Sequence, residues 1–377
     1  MARNRWTFMV ALMMVLAMVA AACSSDDGGD DTTTTEAAGG DETTTTEAME
    51  EAEEFKVAFV HVGPTEDKGW SWAHDQGAQY LEANMPGAVI TTLESIAEGP
   101  DSQRVFEDLA ADGNVLIFGT SFGYMDPMLA AADNFPDVAF LHATGYKTGP
   151  NMGNYFGAAE EGRYLSGMAA GARSESGKIG YVAAFPIPEV LRGINAFTLG
   201  VREMNPEATV QVVWTSTWFD PPTEGDAAQA LLDAGADVIA MHQDSSAPGQ
   251  AAEAAGAGWV GYNTDMSEFA PEGWLTAAIW DWGPYYLTTA EAVKAGTWAP
   301  EAYYGNMADG MVDIAPLGPS VTDETGALIE TRKGEIIAGT FSVLPDPIVN
   351  QAGNEQPLGD IFSMDYFVEG VIGSPTG

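Results

Sequence analysis

From Phe55 onward, short apolar runs alternate with longer stretches free of helix breakers, and this alternation narrows the possible folds more than any other feature. Runs rich in β-branched and aromatic residues read as buried strands. They fall at Lys56–His61, Ala88–Thr92, Val115–Gly119, Val138–Ala143, Lys178–Ala183, Thr209–Trp214, Val238–His242 and Trp259–Tyr262. Helices are expected at Ser71–Asn84, Gln103–Ala111, Met125–Asn134, Glu160–Ser174, Pro188–Asn205, Glu224–Ala234, Gly249–Ala255 and Tyr285–Ala295. Parallel strands need a crossover, usually a helix, so the pattern implies an α/β fold with largely parallel sheets. Four such units are followed by four more, which predicts two similar lobes facing each other across a cleft. After Gly296, Gly and Pro are more frequent, and shorter strands at Gly310–Ile314, Leu328–Glu330 and Ile361–Val368 are expected to finish one lobe.

The segment before Phe55 is of another kind. Arg3 and Arg5 precede an apolar run from Trp6 to Ala22 that ends in Ala20-Ala21-Ala22-Cys23. A basic start, a short apolar core and small residues before the break describe an export signal over residues 1–23. Cys23, the single cysteine, makes it resemble a bacterial lipoprotein signal, and fatty chains on that sulfur would hold the protein on the outer face of a membrane. Residues 24–54 hold two TTTTEA copies, twelve carboxylates and no base. Such a segment has almost nothing to bury and reads as a solvated, disordered tether extended by its own charge. The whole chain carries 14 Lys+Arg against 55 Asp+Glu, a formal net charge of -41. Nucleic acid is therefore a poor partner, since phosphate binding needs clustered cations. The excess favours solubility and accords with a saline habitat.

Enzyme signatures are missing from the 377 residues: no phosphate-binding Gly-x4-Gly-Lys loop, no His-Glu-x-x-His, no Cys/His cluster and no Gly-x-Ser-x-Gly turn. The histidines His61, His74, His142 and His242 are dispersed, so no metal site, cofactor or catalytic residue is expected. Aromatic and polar residues instead gather at predicted strand ends, where ligands bind in open α/β sheets. The loop after the first strand offers Asp67, Trp70 and Trp72; later loops offer Phe122, Phe185, Trp218, Asp244, then Asn263 with Asp265, then Trp280. Aromatic area with a few carboxylates and amides to fix orientation is the usual lining of a small-molecule pocket.

The order KVAFVHVGP…DKGW, an FGY turn, FPDVAF, GRYLSGMAAG, IGYV, FTLGVREMNP, GADVI and NTDM, spanning roughly Phe55 to Gly370, resembles the basic membrane protein family. These are substrate-binding lipoproteins of ATP-driven (ABC) importers that bind purine nucleosides or bases. The resemblance implies a type I periplasmic-binding-protein fold with three crossing strands. Lobe I is expected at 55–156 and 265–298, and lobe II at 157–264 and 299–377. It also implies a permease and an ATPase as partners. The family's DKSFN loop falls on Asp67-Lys68-Gly69-Trp70-Ser71, so Trp70 stands where a Phe stacks on the purine, and a family aspartate falls on Asp265. Two positions depart from the family: Ser71 replaces an Asn, and Trp280 in LTAAIW replaces a Lys. Losing polar groups suited to a ribose points to a bare purine base, adenine-like, sandwiched by Trp70 and Trp218 with Phe185 or Trp280 as substitutes. Asp244 and Asp265 would select it by hydrogen bonds, with Phe122 and Asn263 nearby. A nucleoside, or a role as a ligand-sensing module for a signalling partner, stands as the alternative.

Overall fold

The computed structural model describes residues 54–377. The export signal, Cys23 and the tether up to residue 53 lie outside the described residues. The first sheet is laid down by β1 (Phe55–His61), α1 (Trp70–Asn84), β2 (Ala88–Leu93), α2 (Asp101–Ala111), β3 (Leu116–Thr120), α3 (Met125–Asn134), β4 (Ala139–Ala143) and β5 (Met152–Gly157). The second follows with α4 (Ala159–Arg173), β6 (Lys178–Ala183), α5 (Pro188–Met204), β7 (Thr209–Trp214), α6 (Pro221–Asp233), β8 (Val238–His242), α7 (Ala247–Ala255), β9 (Gly258–Asn263) and β10 (Trp274–Trp280). The chain then adds α8 (Gly283–Lys294), β11 (Ala302–Gly305), β12 (Val312–Ile314), α9 (Asp323–Ile337), β13 (Ile348–Val349), β14 (Glu355–Gln356) and β15 (Val371–Ile372).

Strand order is β11-β5-β4-β3-β1-β2 in one sheet and β12-β10-β9-β8-β6-β7-β15 in the other, with β13 and β14 forming a separate pair. Neighbours within both large sheets are parallel except β12, which runs antiparallel to β10. The chain passes between sheets after β5, after β10 and after β11. Two segments depart from the expected lobe division. Strand β10, inside 265–298, pairs in the second sheet, while β11, inside 299–377, pairs in the first.

Each sheet is covered on both faces, as parallel sheets require. In β1, Val57 and Phe59 point into a core shared with Leu81, Phe118 and Tyr286, while Ala58 and Val60 point into another with Phe106, Ile117 and Met128. In the second sheet, Ile179 and Tyr181 face Phe197 and Val201, and Val182 faces Leu231 and Met241. Two expected strands are absent. Leu328–Glu330 lies inside α9, whose start is capped by the Thr322 hydroxyl accepting from the Thr325 N–H at 3.2 Å. Ile361–Val368 begins with a 3₁₀ turn, Ile361–Ser363, and continues without regular structure.

Helices α4 and α5 approach so closely that glycine is required at their crossing. A Cβ on Gly200 would sit 2.0 Å from the Tyr164 carbonyl oxygen, and one on Gly167 would sit 2.1 Å from that of Phe197. Both collisions are with backbone, which cannot rotate away. Gly200→Ala and Gly167→Ala should each lower stability by about 1–3 kcal/mol in urea unfolding, as overpacked core sites do. Gly334→Ala, in open space on exposed α9, should leave stability unchanged or raise it slightly.

Candidate functional site

The carboxyl ends of the parallel strands carry the loops that face one another. Val62 follows β1, Ser121 and Phe122 follow β3, and Thr144 follows β4. Opposite them, Glu189 lies in the first turn of α5, Trp218 in the loop after β7, His242 at the end of β8, Asp244 beyond it, and Tyr262 in β9. Together with Trp70 these residues line a cavity of about 20 Å³, room for little more than one water molecule, so a ring-sized ligand needs the lobes to part further. No Lys or Arg is among its lining residues.

Asp67 explains how the first loop folds. Its carboxylate accepts the backbone N–H groups of Gly69 (2.7 Å), Ser71 (3.0 Å) and Trp72 (3.0 Å), satisfying donors at the start of α1 that the helix leaves open. That seats Trp70 with its indole N–H donating to the Thr120 carbonyl at 2.6 Å and its ring edge against His74 at 4.2 Å. Trp72 points elsewhere, beneath the Lys68 ammonium at 5.1 Å. The Gln243 amide holds the facing loop, its nitrogen donating to the carbonyls of Thr217 and Trp218 at 3.1 Å each. Lys68, Thr144, Ser216 and Asn263 all adopt positive φ, between 57° and 73°, a strain that characterises loops held for binding. The two sides touch directly: the Thr264 hydroxyl donates to the Lys68 carbonyl, and a Cβ on Gly69 would lie 2.3 Å from the Asp244 carbonyl oxygen.

The electrostatics follow from burial. Asp244 is 5% exposed; desolvation, and then the charge of Asp67, raise its carboxyl well above the usual range. Burial also pushes Asp67 up to about 6, against the pull of its backbone donors. Because those three donors favour the anion, the pair holds its proton on Asp244. Desolvation lifts Glu189 to about 7, opposed by Arg192. His242 is held well below its ordinary value by burial and by Arg163 and Arg192, so it is neutral. Glu189 Oε2, His242 Nδ1, the Thr144 hydroxyl and the Tyr262 hydroxyl find no protein partner. The lining is thus close to uncharged yet rich in unused donors and acceptors.

Of the residues singled out from the sequence, Trp70, Phe122, Trp218 and Asp244 line the cavity. Phe185, Trp280 and Asn263 stand behind them. Phe185 packs edge-on to Trp218 at 5.0 Å. The Trp280 N–H donates to Asn263 at 2.9 Å, and Asn263 in turn donates to Asp244 at 3.3 Å, so both act on the cavity through Asp244. Asp265 is a correction: it is exposed, and its carboxylate accepts the Ser267 N–H at 3.0 Å, shaping a surface turn. Glu189, Tyr262, Ser121, Thr144 and Val62 were not anticipated, and His242 was noted only for its strand-end position. Among the described residues no group of three or more His, Cys, Asp or Glu side chains is placed to hold a metal ion. None of their helices is long and apolar enough to cross a membrane.

A family model described as ABC transporter substrate-binding protein, PnrA-like, matches residues 55–343. A putative ABC transporter glucose-binding protein of Haloferax volcanii is 45% identical over 327 residues, covering 86% of this chain and 82% of its own. A purine-binding protein of Brucella abortus is 42% identical over 332 residues, covering 86% and 95%. Among solved structures, an ABC transporter solute-binding protein from Conexibacter woesei superposes with a TM-score of 0.62 at 25% identity, covering 77% of this chain and 98% of that one.

The contact at Gly69 generates a test of closure. Gly69→Val would place carbon where the Asp244 carbonyl must lie and should hold the lobes apart. Scattering should report a larger radius of gyration, and bound ligand should no longer shrink it.

Proposed function

This chain belongs to the PnrA-like family of ABC transporter substrate-binding proteins, and we propose that the ligand it captures is a purine base, adenine-like, stacked on aromatics and hydrogen-bonded to carboxyl groups. A protein of this kind works outside the cell membrane and passes its ligand to a permease driven by an ATPase. The observation that carries the base reading is the lining of the cavity. It sets Trp70, Phe122 and Trp218 beside Asp244 and Glu189 and includes no Lys or Arg. A phosphate or a free carboxylate has no cation to meet there, which disfavours nucleotides and amino acids. Flat rings gain about 1–3 kcal/mol per stacked face, and N–H edges suit carboxyl partners. The purine-binding relative points the same way.

A sugar is the second reading, favoured by the name of the Haloferax relative and by the same Trp and carboxyl lining, which a sugar ring can also use. A nucleoside is the third, and its ribose needs more room and more polar partners than a bare base does. Trp218, half-buried on the second lobe, is positioned to stack on whatever ring enters. We also assign the lipid anchor to Cys23 and place the protein on the outer face of the membrane.

Thermal-shift measurements with adenine, hypoxanthine, adenosine, inosine, glucose and ribose separate these readings. A base at a hundredfold excess over Kd should add about 2.7 kcal/mol to stability, with little from the rest. A shift with glucose alone would overturn the base reading, and an equal shift with adenosine would restore the nucleoside. Trp218→Ala should weaken binding roughly ten- to a hundredfold while leaving unfolding in urea nearly as before. Cys23→Ala should release the protein from membranes into the medium on cell fractionation.

A further inference from the structure

We infer that Glu189 binds the ligand as a neutral carboxylic acid, its O–H donating to a ring acceptor while its C=O accepts from a neighbouring N–H. This rests on the purine-base reading and goes further, because it fixes the protonation state of the site and the edge it reads.

Glu189 stands in the first turn of α5 with its side chain 9% exposed, lines the cavity, and has Oε2 unpartnered. Its Oε1 lies 4.0 Å from His242 Nε2, beyond hydrogen-bond reach. Arg192, on the same helix, is committed to Glu160 at 3.4 Å. His242 on β8 is neutral, and Tyr262 on β9 is un-ionised under the Arg163 guanidinium, 3.5 Å from its ring. Arg163 itself donates to the Met241 carbonyl at 2.7 Å. Asp244, beyond β8, has its carboxyl raised well above the usual range, and Glu98 accepts from Ser121 and Gly123 of its own first lobe. Arg163 keeps Nε and Nη2 without partners, yet among the described residues no Lys or Arg lies within ion-pair distance of Glu189.

A buried carboxylate without such a partner takes up a proton instead. Burial has already raised Glu189 to about 7 before any ligand arrives, and an uncharged ring pressed against it raises it further. The neutral acid offers one donor beside one acceptor. Its complement is an edge with an acceptor beside a donor, such as the ring nitrogen and amino group of adenine or the N–H and carbonyl of hypoxanthine. Unsubstituted purine, which lacks the exocyclic group, satisfies half of it.

The sign of the pH dependence follows by linkage. The complex stabilises the protonated form, so affinity is full below about 7 and falls as pH rises through it, approaching tenfold per unit. Calorimetric titration of the purified protein with adenine between about pH 5.5 and 8.5, a range in which adenine stays neutral, measures this directly. In buffers of differing ionisation enthalpy at the alkaline end, binding should take up about one proton. Glu189→Gln, which carries the same donor beside an acceptor without titrating, should bind adenine with a flat pH profile. Asp244→Asn should keep the alkaline fall. Purine should bind at least tenfold more weakly than adenine. A wild-type affinity that is flat or rises with pH, or an alkaline fall that persists in Glu189→Gln, would overturn the assignment even though adenine binds. Failure of every base to bind would instead remove the purine reading beneath it.

Discussion

Three carboxyl groups, Asp67, Asp244 and Glu189, are held out of water around one cavity, and much of the surrounding structure is an answer to that burial. Asp67 is supported by the start of α1, whose open N–H groups it satisfies. Asp244 is supported by an amide, Asn263, fixed in turn by the Trp280 indole. Glu189 has no such support on Oε2. The support thus decreases from helix terminus to amide to nothing. A chain with a formal charge of -41 thereby surrounds a cavity that is nearly neutral. Surface charge and cavity charge are independent quantities here, because one is set by solvation and the other by its removal.

The same network gives Trp280 a meaning different from the one its sequence position invites. The family resemblance sets a lysine at its position, but Trp280 stands behind the lining and does not border the cavity. Its N–H fixes Asn263, and its ring stacks on Trp282 at 4.7 Å and meets the edge of Trp70 at 6.1 Å. Trp280 thus braces Trp70, which lines the cavity, and Asn263, which stands behind it.

How much of this was legible in the sequence can be argued from particular residues. The α/β alternation was legible because strands such as Phe55–His61 are buried on both faces and read as unbroken apolar runs. Strand β5, MGNYFG, was not, since Gly153 and Asn154 look like a turn and only its neighbours on both sides make it a strand. Strand β10 was read as a ligand loop because its tryptophans drew attention to binding. Leu328–Glu330 resembled a strand over too short a window to show the helical period of α9. At the site, aromatic residues at strand ends were visible, and four of the eight ligand candidates line the cavity. Glu189 was hidden by its ordinary appearance: an acid in the first turn of a helix usually faces solvent, and only the folded structure shows this one lining a cavity. Asp265 failed for the converse reason, since a strand-end position does not reveal which way a side chain turns.

The contact of Gly69 with Asp244 also bears on timing. With backbone against backbone between the lobes, a molecule inside leaves more slowly while the lobes stay together. Its residence time is then set by how often the three crossing segments let the lobes part, not by the strength of any single bond in the cavity. A membrane partner that holds the lobes open can therefore unload the protein without competing for one ligand contact. Tight capture and prompt delivery need not oppose each other, since they are properties of two different shapes of the same chain.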